Sequence, residues 1–87
     1  MDKIWSDESW EQYLFWQTQD KKTLKKLNKL LHDIDRNGHK GIGHPEPLKG
    51  DLSGWWSREI DEKNRLNYKI EDGCIKIFQC KTHYGDK

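Results

Sequence analysis

The chain has little net charge, few cysteines and no long hydrophobic run. Its 87 residues include 16 basic and 15 acidic side chains, for a formal charge of +1. Because domains that bind polyanions commonly have a strongly basic balance, the total charge gives no argument for nucleic-acid binding. No stretch approaches the roughly 20 apolar residues of a transmembrane helix, and the amino terminus lacks the apolar run of a signal peptide. We therefore expect no association with membranes.

The two cysteines are Cys74 and Cys80. In an extended strand their spacing separates the Cα atoms by roughly 20 Å, whereas a disulfide requires about 7 Å or less. Two thiols that cannot pair within one chain fit a reducing compartment, so we expect a cytoplasmic protein.

The sequence also lacks the spacings of a metal site or an acyl-transfer site. No pair of cysteines or histidines has the short repeated spacing of a zinc site, and no serine lies in a Gly-x-Ser-x-Gly context. The metal-ligand candidates that we considered and rejected are His32, His39, His44, Cys74 and Cys80. We predict neither a metal nor another cofactor.

Large aromatic side chains provide much of the apolar volume. The chain contains five Trp, three Tyr and two Phe, although 36% of its residues are charged and only 32% are hydrophobic. This aromatic content argues against disorder, and the length permits one small core. We predict a single domain that spans residues 1–87.

The first half of the chain predicts two helices. Ser6 is a typical helix N-cap followed by two acids, so the first helix should begin near residue 7. Spacings of three and four residues predict its buried face, which joins Trp10, Tyr13, Leu14 and Gln17. Asp20 can cap a second helix that ends at Gly38. The apolar face of this helix consists of Leu24, Leu27, Leu30, Leu31 and Ile34.

The second half predicts a long loop and then three strands. Residues 38–54 contain five of the seven glycines and both prolines. A loop of this length in a small domain is more often part of a functional or binding site than a simple connection. Strands are expected at residues 55–60, 65–70 and 74–82, joined by tight turns into an antiparallel meander. Arg65 alternates with the apolar residues of its strand and should face solvent or a cleft. The prediction is an α+β domain in which two N-terminal amphipathic helices pack on one face of a twisted antiparallel β-sheet.

Positive charge is concentrated in the middle of the chain. Residues 1–20 carry five acids and one base, whereas residues 21–49 carry eight bases and three acids. Five of these bases form a stripe on the outward side of the second helix, called here the lysine stripe: Lys21, Lys22, Lys25, Lys26 and Lys29. The stripe is most simply a solvated helix face, and it could also meet phosphates or an acidic partner.

A possible acid and a possible base lie in the second half of the chain. Cleavage of RNA by its own 2′-OH group requires a base, cations that stabilise the transition state, and an acid for the departing 5′ oxygen. A histidine with an unperturbed pKa of about 6.5 can donate a proton near neutral pH, and a carboxylate can act as a base. Glu46 and His83 could fill these two roles.

Several further residues could complete such a site. Arg65, together with Lys49 or Arg58, could neutralise the phosphate. Tyr84 offers a ring for base stacking and a phenol for hydrogen bonding. Each residue type is common on protein surfaces, so the combination carries the prediction of a small ribonuclease.

Specific motifs run through nearly the whole chain in a fixed order. They are Ile4-Trp5-Ser6, Ser9-Trp10, Tyr13-Leu14, Trp16, Gly43, Pro45-Glu46-Pro47-Leu48-Lys49, Leu52-Ser53-Gly54, Trp56-Ser57-Arg58, Arg65-Leu66, Tyr68, Cys80 and His83-Tyr84. In these motifs the chain resembles the YoeB family of bacterial toxins, small ribonucleases of the RelE-like superfamily.

The resemblance implies a ribonuclease of the bacterial cytoplasm that cuts mRNA at the ribosomal A site without a metal. It implies inhibition by a cognate YefM-like antitoxin, and a homodimer, as in many members. By position in the motifs, Glu46 would be the general base, His83 the general acid and Arg65 the phosphate stabiliser, with Lys49 and Tyr84 also lining the site. An acidic or amphipathic antitoxin tail would be attracted to the lysine stripe.

Two other interpretations remain open. The family often has a second arginine where this chain has Glu59, and a catalytically inactive RNA- or antitoxin-binding module of the same fold is one alternative. The joint presence of Glu46, Arg65 and His83 favours the enzyme.

A structural or interaction protein is the other alternative. Trp55 and Trp56 are adjacent in a predicted strand, so one ring must leave the helix-packed side of the sheet. That ring could line a partner groove as well as an RNA cleft.

Overall fold

The computed structural model describes residues 1–81, which form two helices and a five-stranded sheet. In chain order the elements are β1 (Asp2–Trp5), α1 (Asp7–Gln19), α2 (Lys21–Asn37), β2 (Glu46–Pro47), a short 3-10 helix (Gly50–Leu52), β3 (Trp56–Glu59), β4 (Arg65–Glu71) and β5 (Cys74–Gln79). The strand order is β1-β5-β4-β3-β2, with β1 parallel to β5 and the other pairs antiparallel. The predicted α+β class and the meander of β3, β4 and β5 are confirmed, and β1 and β2 extend the meander at its two edges.

Both helices begin at the predicted caps. The Ser6 hydroxyl accepts a hydrogen bond from the backbone N–H of Ser9 at 3.1 Å, and the Asp20 carboxylate accepts one from Thr23 at 3.1 Å. These bonds satisfy N–H groups that have no partner within the helix. α2 ends at Gly38, whose φ of 63° is favourable for glycine.

The core lies between α2 and one face of the sheet. Its buried members include Leu27, Leu30, Leu31 and Ile34 from α2 and Leu66, Tyr68, Ile75 and Ile77 from β4 and β5. Burial of one such aliphatic side chain contributes about 1.5–3 kcal/mol, so this contact is the main attachment of α2 to the sheet. The predicted apolar face of α2 is confirmed.

α1 packs through a face that its apolar spacing predicts only in part. Its buried residues are Ser9 and Trp16, whereas Trp10 is 43% exposed. Ser9 Oγ donates a hydrogen bond to the carbonyl of Ile77 at 2.8 Å. Of the predicted face, Tyr13 and Leu14 are half-buried and Tyr13 packs against the core, whereas Trp10 and Gln17 are exposed.

β5 ends at Gln79, earlier than the predicted residue 82. The backbone N–H of Cys80 donates to Gln12 Oε1 at 2.7 Å, and the Cys80 carbonyl accepts from Trp16 Nε1 at 2.8 Å. Since α1 side chains occupy both backbone groups of Cys80, the strand ladder stops before it. Gln12 of α1 thus contacts the end of β5.

The predicted loop of residues 38–54 contains regular structure, which corrects the expectation of a structureless stretch. β2 pairs with β3, and this pairing sets Glu46 opposite Ser57. Pro47 is tolerated because β2 is an edge strand. The pairing fixes the backbone of Glu46 to the sheet.

Candidate active site

β2, β3 and β4 present a polar cluster on the face of the sheet opposite the helices, called here the open face. Arg65 lies opposite Glu59 across the β3–β4 pair, and Glu46 lies opposite Ser57 across the β2–β3 pair. Strand alternation places these four side chains on one face. The predicted outward direction of Arg65 is therefore confirmed.

Glu46 and Arg65 are in direct contact. Glu46 Oε1 lies 3.2 Å from Arg65 Nη2, and the Glu46 side chain is 52% exposed. The Arg65 side chain is only 11% exposed, so its guanidinium is a partly desolvated cation at the base of the cluster. A carboxylate that can accept a proton thus stands beside a cation that can hold an anion.

Ser57 fixes the direction of the Arg65 guanidinium. Arg65 Nε donates a hydrogen bond to Ser57 Oγ at 2.6 Å, and Ser57 is fully buried. With Nε held by this bond, the two terminal nitrogens of Arg65 point toward the carboxylates of Glu46 and Glu59. The sequence does not predict this role of Ser57, because the role depends on the register between β3 and β4.

Glu59 and His44 extend the cluster. Glu59 Oε2 lies 3.9 Å from Arg65 Nη1, and Glu59 Oε1 lies 3.8 Å from His44 Nδ1. The loop that carries His44 is held at Gly43, whose carbonyl accepts from the Glu59 N–H at 2.7 Å. A Cβ at Gly43 would lie 2.8 Å from Leu30 Cδ2, and φ is +80°, so only glycine fits there without strain.

Arg58 does not belong to this cluster. Strand alternation turns it toward the helices, where it is fully buried. All five of its N–H donors are used, by the Tyr68 hydroxyl, the Asp33 carboxylate and the carbonyls of Gly38, Lys40 and Ile42. The prediction of Arg58 as a phosphate-binding residue is corrected accordingly, since no donor remains for a ligand and the side chain is inaccessible.

The buried guanidinium of Arg58 shifts the pKa values of its neighbours. Its hydrogen bond lowers the pKa of Asp33 below 3.8, against the opposing effect of desolvation. Burial first, and the charge of Arg58 second, lower the pKa of His39 below 6.5. His39 stacks on Trp56 with a centroid distance of 4.1 Å. Arg58 therefore organises the start of the 38–54 loop around a structural ion pair.

The remaining predicted site residues are placed as follows. Lys49 is exposed at the start of the 3-10 helix, three positions after Glu46, and it makes no ion pair within the part of the chain that the structure describes. His83 and Tyr84 lie outside the described residues.

The two adjacent tryptophans lie on opposite faces, as predicted. Trp56 faces the helices beside His39. Trp55 packs edge to face with Phe78 at 4.7 Å on the open side of the sheet, and Lys69 Nζ lies 5.5 Å from the centre of its ring.

Within residues 1–81, no group of three or more His, Cys, Asp or Glu side chains is arranged to hold a metal ion. Over the same range, neither helix has the length and apolar character needed to cross a membrane.

Comparison with known proteins extends the resemblance noted above. A family model described as a YoeB-like toxin of a bacterial type II toxin-antitoxin system matches residues 5–84. Toxin YoeB of Escherichia coli K12 is 50% identical over 84 residues, which cover 97% of this chain and 100% of that protein.

Solved structures agree with the sequence comparison. A YoeB/ParE toxin from Agrobacterium tumefaciens superposes with a TM-score of 0.93 at 38% identity, covering 97% of this chain and 100% of that one. YoeB of Staphylococcus aureus, solved as a dimer, gives 0.91 at 47% identity, covering 97% and 98%. A chain of a YoeB-YefM complex from Staphylococcus aureus gives a TM-score of 0.91 at 46% identity with the same coverage. The full-length match in both sequence and fold means that this chain belongs to the YoeB-like toxin family of bacterial type II toxin-antitoxin systems.

Proposed function

We propose that this toxin is a metal-independent endoribonuclease that cleaves mRNA at the ribosomal A site and thereby inhibits translation. The observation that carries the proposal is the contact between Glu46 and Arg65 on the open face, 3.2 Å apart. Cleavage by internal transfer needs a base and a phosphate-binding cation within a few ångströms of each other, and this pair has that spacing.

The reaction divides into two proton transfers around one displacement at phosphorus. Glu46 takes the proton of the 2′-OH group, whose oxygen attacks the adjacent phosphorus. The P–O5′ bond breaks, a 2′,3′-cyclic phosphate forms, and His83 donates a proton to the departing 5′ oxygen. Arg65 stabilises the charge on the phosphate oxygens, and Ser57 orients it through the 2.6 Å hydrogen bond.

Lys49 and Tyr84 are proposed as substrate contacts. Lys49 is exposed and close in sequence to Glu46, so its ammonium is available to a neighbouring phosphate. Tyr84 would stack on a base of the mRNA.

The proposed partners are a YefM-like antitoxin, the ribosome with its mRNA, and a second copy of the toxin, in the bacterial cytoplasm. The solved relatives include both a YoeB-YefM complex and a YoeB dimer. The lysine stripe lies on the exposed side of α2 and is the proposed first contact for an acidic antitoxin segment. A complex in which the antitoxin contacts only the acidic residues 1–20 would contradict this contact.

Primer extension on mRNA in a purified translation reaction tests the activity. The wild-type toxin should produce ribosome-dependent cuts, and Glu46→Gln and His83→Ala should each reduce the cleavage rate by about 10²-fold or more. Glu62→Gln is the matched control, since it removes the same charge from an exposed turn residue. Toxin treated with chelator and dialysed before addition should retain full activity, which tests metal independence without removing Mg²⁺ from the ribosomes.

Two results would contradict the proposal. If the wild-type toxin binds ribosomes and leaves the message intact, the chain is a binding module of the same fold. If cleavage continues unchanged in Glu46→Gln, the enzyme uses another base.

A further inference from the structure

Two carboxylates share the single guanidinium of the polar cluster. Arg65 Nη2 lies 3.2 Å from Glu46, and Arg65 Nη1 lies 3.9 Å from Glu59. Its remaining nitrogen, Nε, donates to Ser57. Each terminal nitrogen of Arg65, where a phosphate would bind, therefore already lies near a carboxylate of the protein itself.

The position of Glu59 is fixed by the backbone. Glu59 lies directly opposite Arg65 in the β3–β4 register, and its N–H donates to the Gly43 carbonyl at 2.7 Å. Facing residues in an antiparallel pair have Cβ atoms about 4.5–5.5 Å apart, so the two side chains cannot avoid each other. The register of the fold therefore keeps the two side chains adjacent.

The local charge balance disfavours an anionic ligand. Glu46 and Glu59 carry two negative charges, Arg65 carries one positive charge, and His44 faces Glu59 from the loop at 3.8 Å. A phosphate that approaches Arg65 must displace the Glu59 carboxylate or lie beside it, and both reduce its affinity.

We propose that Glu59 is a positioning residue that competes with the substrate phosphate for Arg65 and so weakens RNA binding by this toxin. The proposal rests on the proposed function in taking RNA as the ligand, and it deepens that function by assigning a residue that sets substrate affinity. Glu59 acts through Arg65 and takes no part in proton transfer.

The expected effect of removing this charge is modest. Glu59 is 47% exposed, so solvent screens its interaction with Arg65. At this exposure Glu59→Gln should tighten RNA binding by about fivefold, the upper range for a solvent-exposed ion pair. The turnover number at saturating substrate should stay within about twofold of wild type, because the change acts on substrate binding.

The experiment measures binding and cleavage separately. The binding probe is a short single-stranded RNA with a 2′-deoxy nucleotide at the cleavage position, titrated at one fixed pH and ionic strength. The variants are wild type, Glu59→Gln, the charge-preserving Glu59→Asp and the control Glu62→Gln, which has the same net charge as Glu59→Gln. Ribosome-dependent cleavage gives KM and kcat for the same proteins.

The supporting result is a lower dissociation constant and a lower KM in Glu59→Gln, with Glu59→Asp and Glu62→Gln close to wild type. The gain should also disappear when Arg65→Met is present in the same chain, since the effect is carried by Arg65. No gain in affinity for Glu59→Gln, an equal gain for Glu62→Gln, or a gain that persists with Arg65→Met would each overturn the inference. Absence of cleavage by the wild type would refute the proposed function and leave the binding comparison intact.

Discussion

Replacing Arg58 with methionine is expected to destabilise the fold strongly. The side chain is fully buried, and it donates to the Asp33 carboxylate, the Tyr68 hydroxyl and three backbone carbonyls. Methionine occupies a similar volume and donates no hydrogen bond, so it leaves these acceptors and the carboxylate without their partner.

The magnitude follows from the burial of the pair. Removal of one partner from a buried ion pair costs about 3–5 kcal/mol. The Asp33 side chain is 15% exposed and can recover some hydration, which favours the lower end, about 3 kcal/mol. A domain of this size has a total stability of about 4–13 kcal/mol, on the usual scale per residue. For such a domain, a loss of 3 kcal/mol lowers the melting temperature by about 12–24 °C.

Thermal and urea unfolding followed by tryptophan fluorescence measures this loss. Arg36→Met is the matched control, because Arg36 lies exposed in the last turn of α2. An Arg58→Met protein that melts within about 3 °C of the wild type would refute the assignment of Arg58 as a structural residue. If it also failed to bind RNA, the original phosphate-binding prediction would be restored.

Asp33→Asn gives a second measurement if Arg58→Met does not fold. The Arg58 hydrogen bond lowers the pKa of Asp33 in the folded state below the ordinary 3.8. A lowered folded-state pKa gives stability that is complete above the unfolded value and is lost as the pH falls through the folded value. The wild type should therefore lose stability below about pH 4, and Asp33→Asn should lose less over that range. Equal slopes for the two proteins would contradict the role of this carboxylate.

The remaining predictions concern three other groups. Ser57→Ala removes the hydrogen bond that orients Arg65 and should lower the cleavage rate about tenfold in the primer-extension assay. Burial and Arg58 lower the pKa of His39, so the folded protein should lose stability as the pH falls below 6.5. His39→Gln should flatten that part of the stability profile, measured by urea unfolding at several pH values. Burial raises the pKa of the Cys80 thiol to about 12, so native alkylation should label Cys74 alone, with Cys80 reacting only after unfolding.

Two residues of the polar cluster, Glu46 and Arg65, could be predicted from the sequence motifs and from strand alternation. The motifs predict Glu46 as a base and Arg65 as a phosphate-binding residue. Alternation along β4 predicted the outward direction of Arg65. The sequence does not predict Ser57 and Glu59 as partners of Arg65, because cross-strand contacts depend on a register that no local pattern reveals.

Arg58 shows the opposite case. The residues next to Arg58 in the sequence do not distinguish a buried arginine from an exposed one. The alternation of β3 also does not decide which face of the sheet its side chain lies on. Its principal partner, Asp33, is 25 residues away on α2, and its other acceptors are the Tyr68 hydroxyl on β4 and carbonyls of the loop that follows α2. Only the packing of α2 against the sheet brings these groups together.

The sequence by itself determined the features of local structure that depend on residues close together in the chain. The caps at Ser6 and Asp20, the leucine face of α2 and the three strands of the meander follow from short-range hydrogen bonding and periodicity. The tertiary structure decided which side of α1 is buried and which arginine reaches the open face. It also decided that an edge strand carries Glu46 to Arg65. These outcomes depend on contacts between residues far apart in the chain, where the free energy of packing selects among several locally acceptable arrangements.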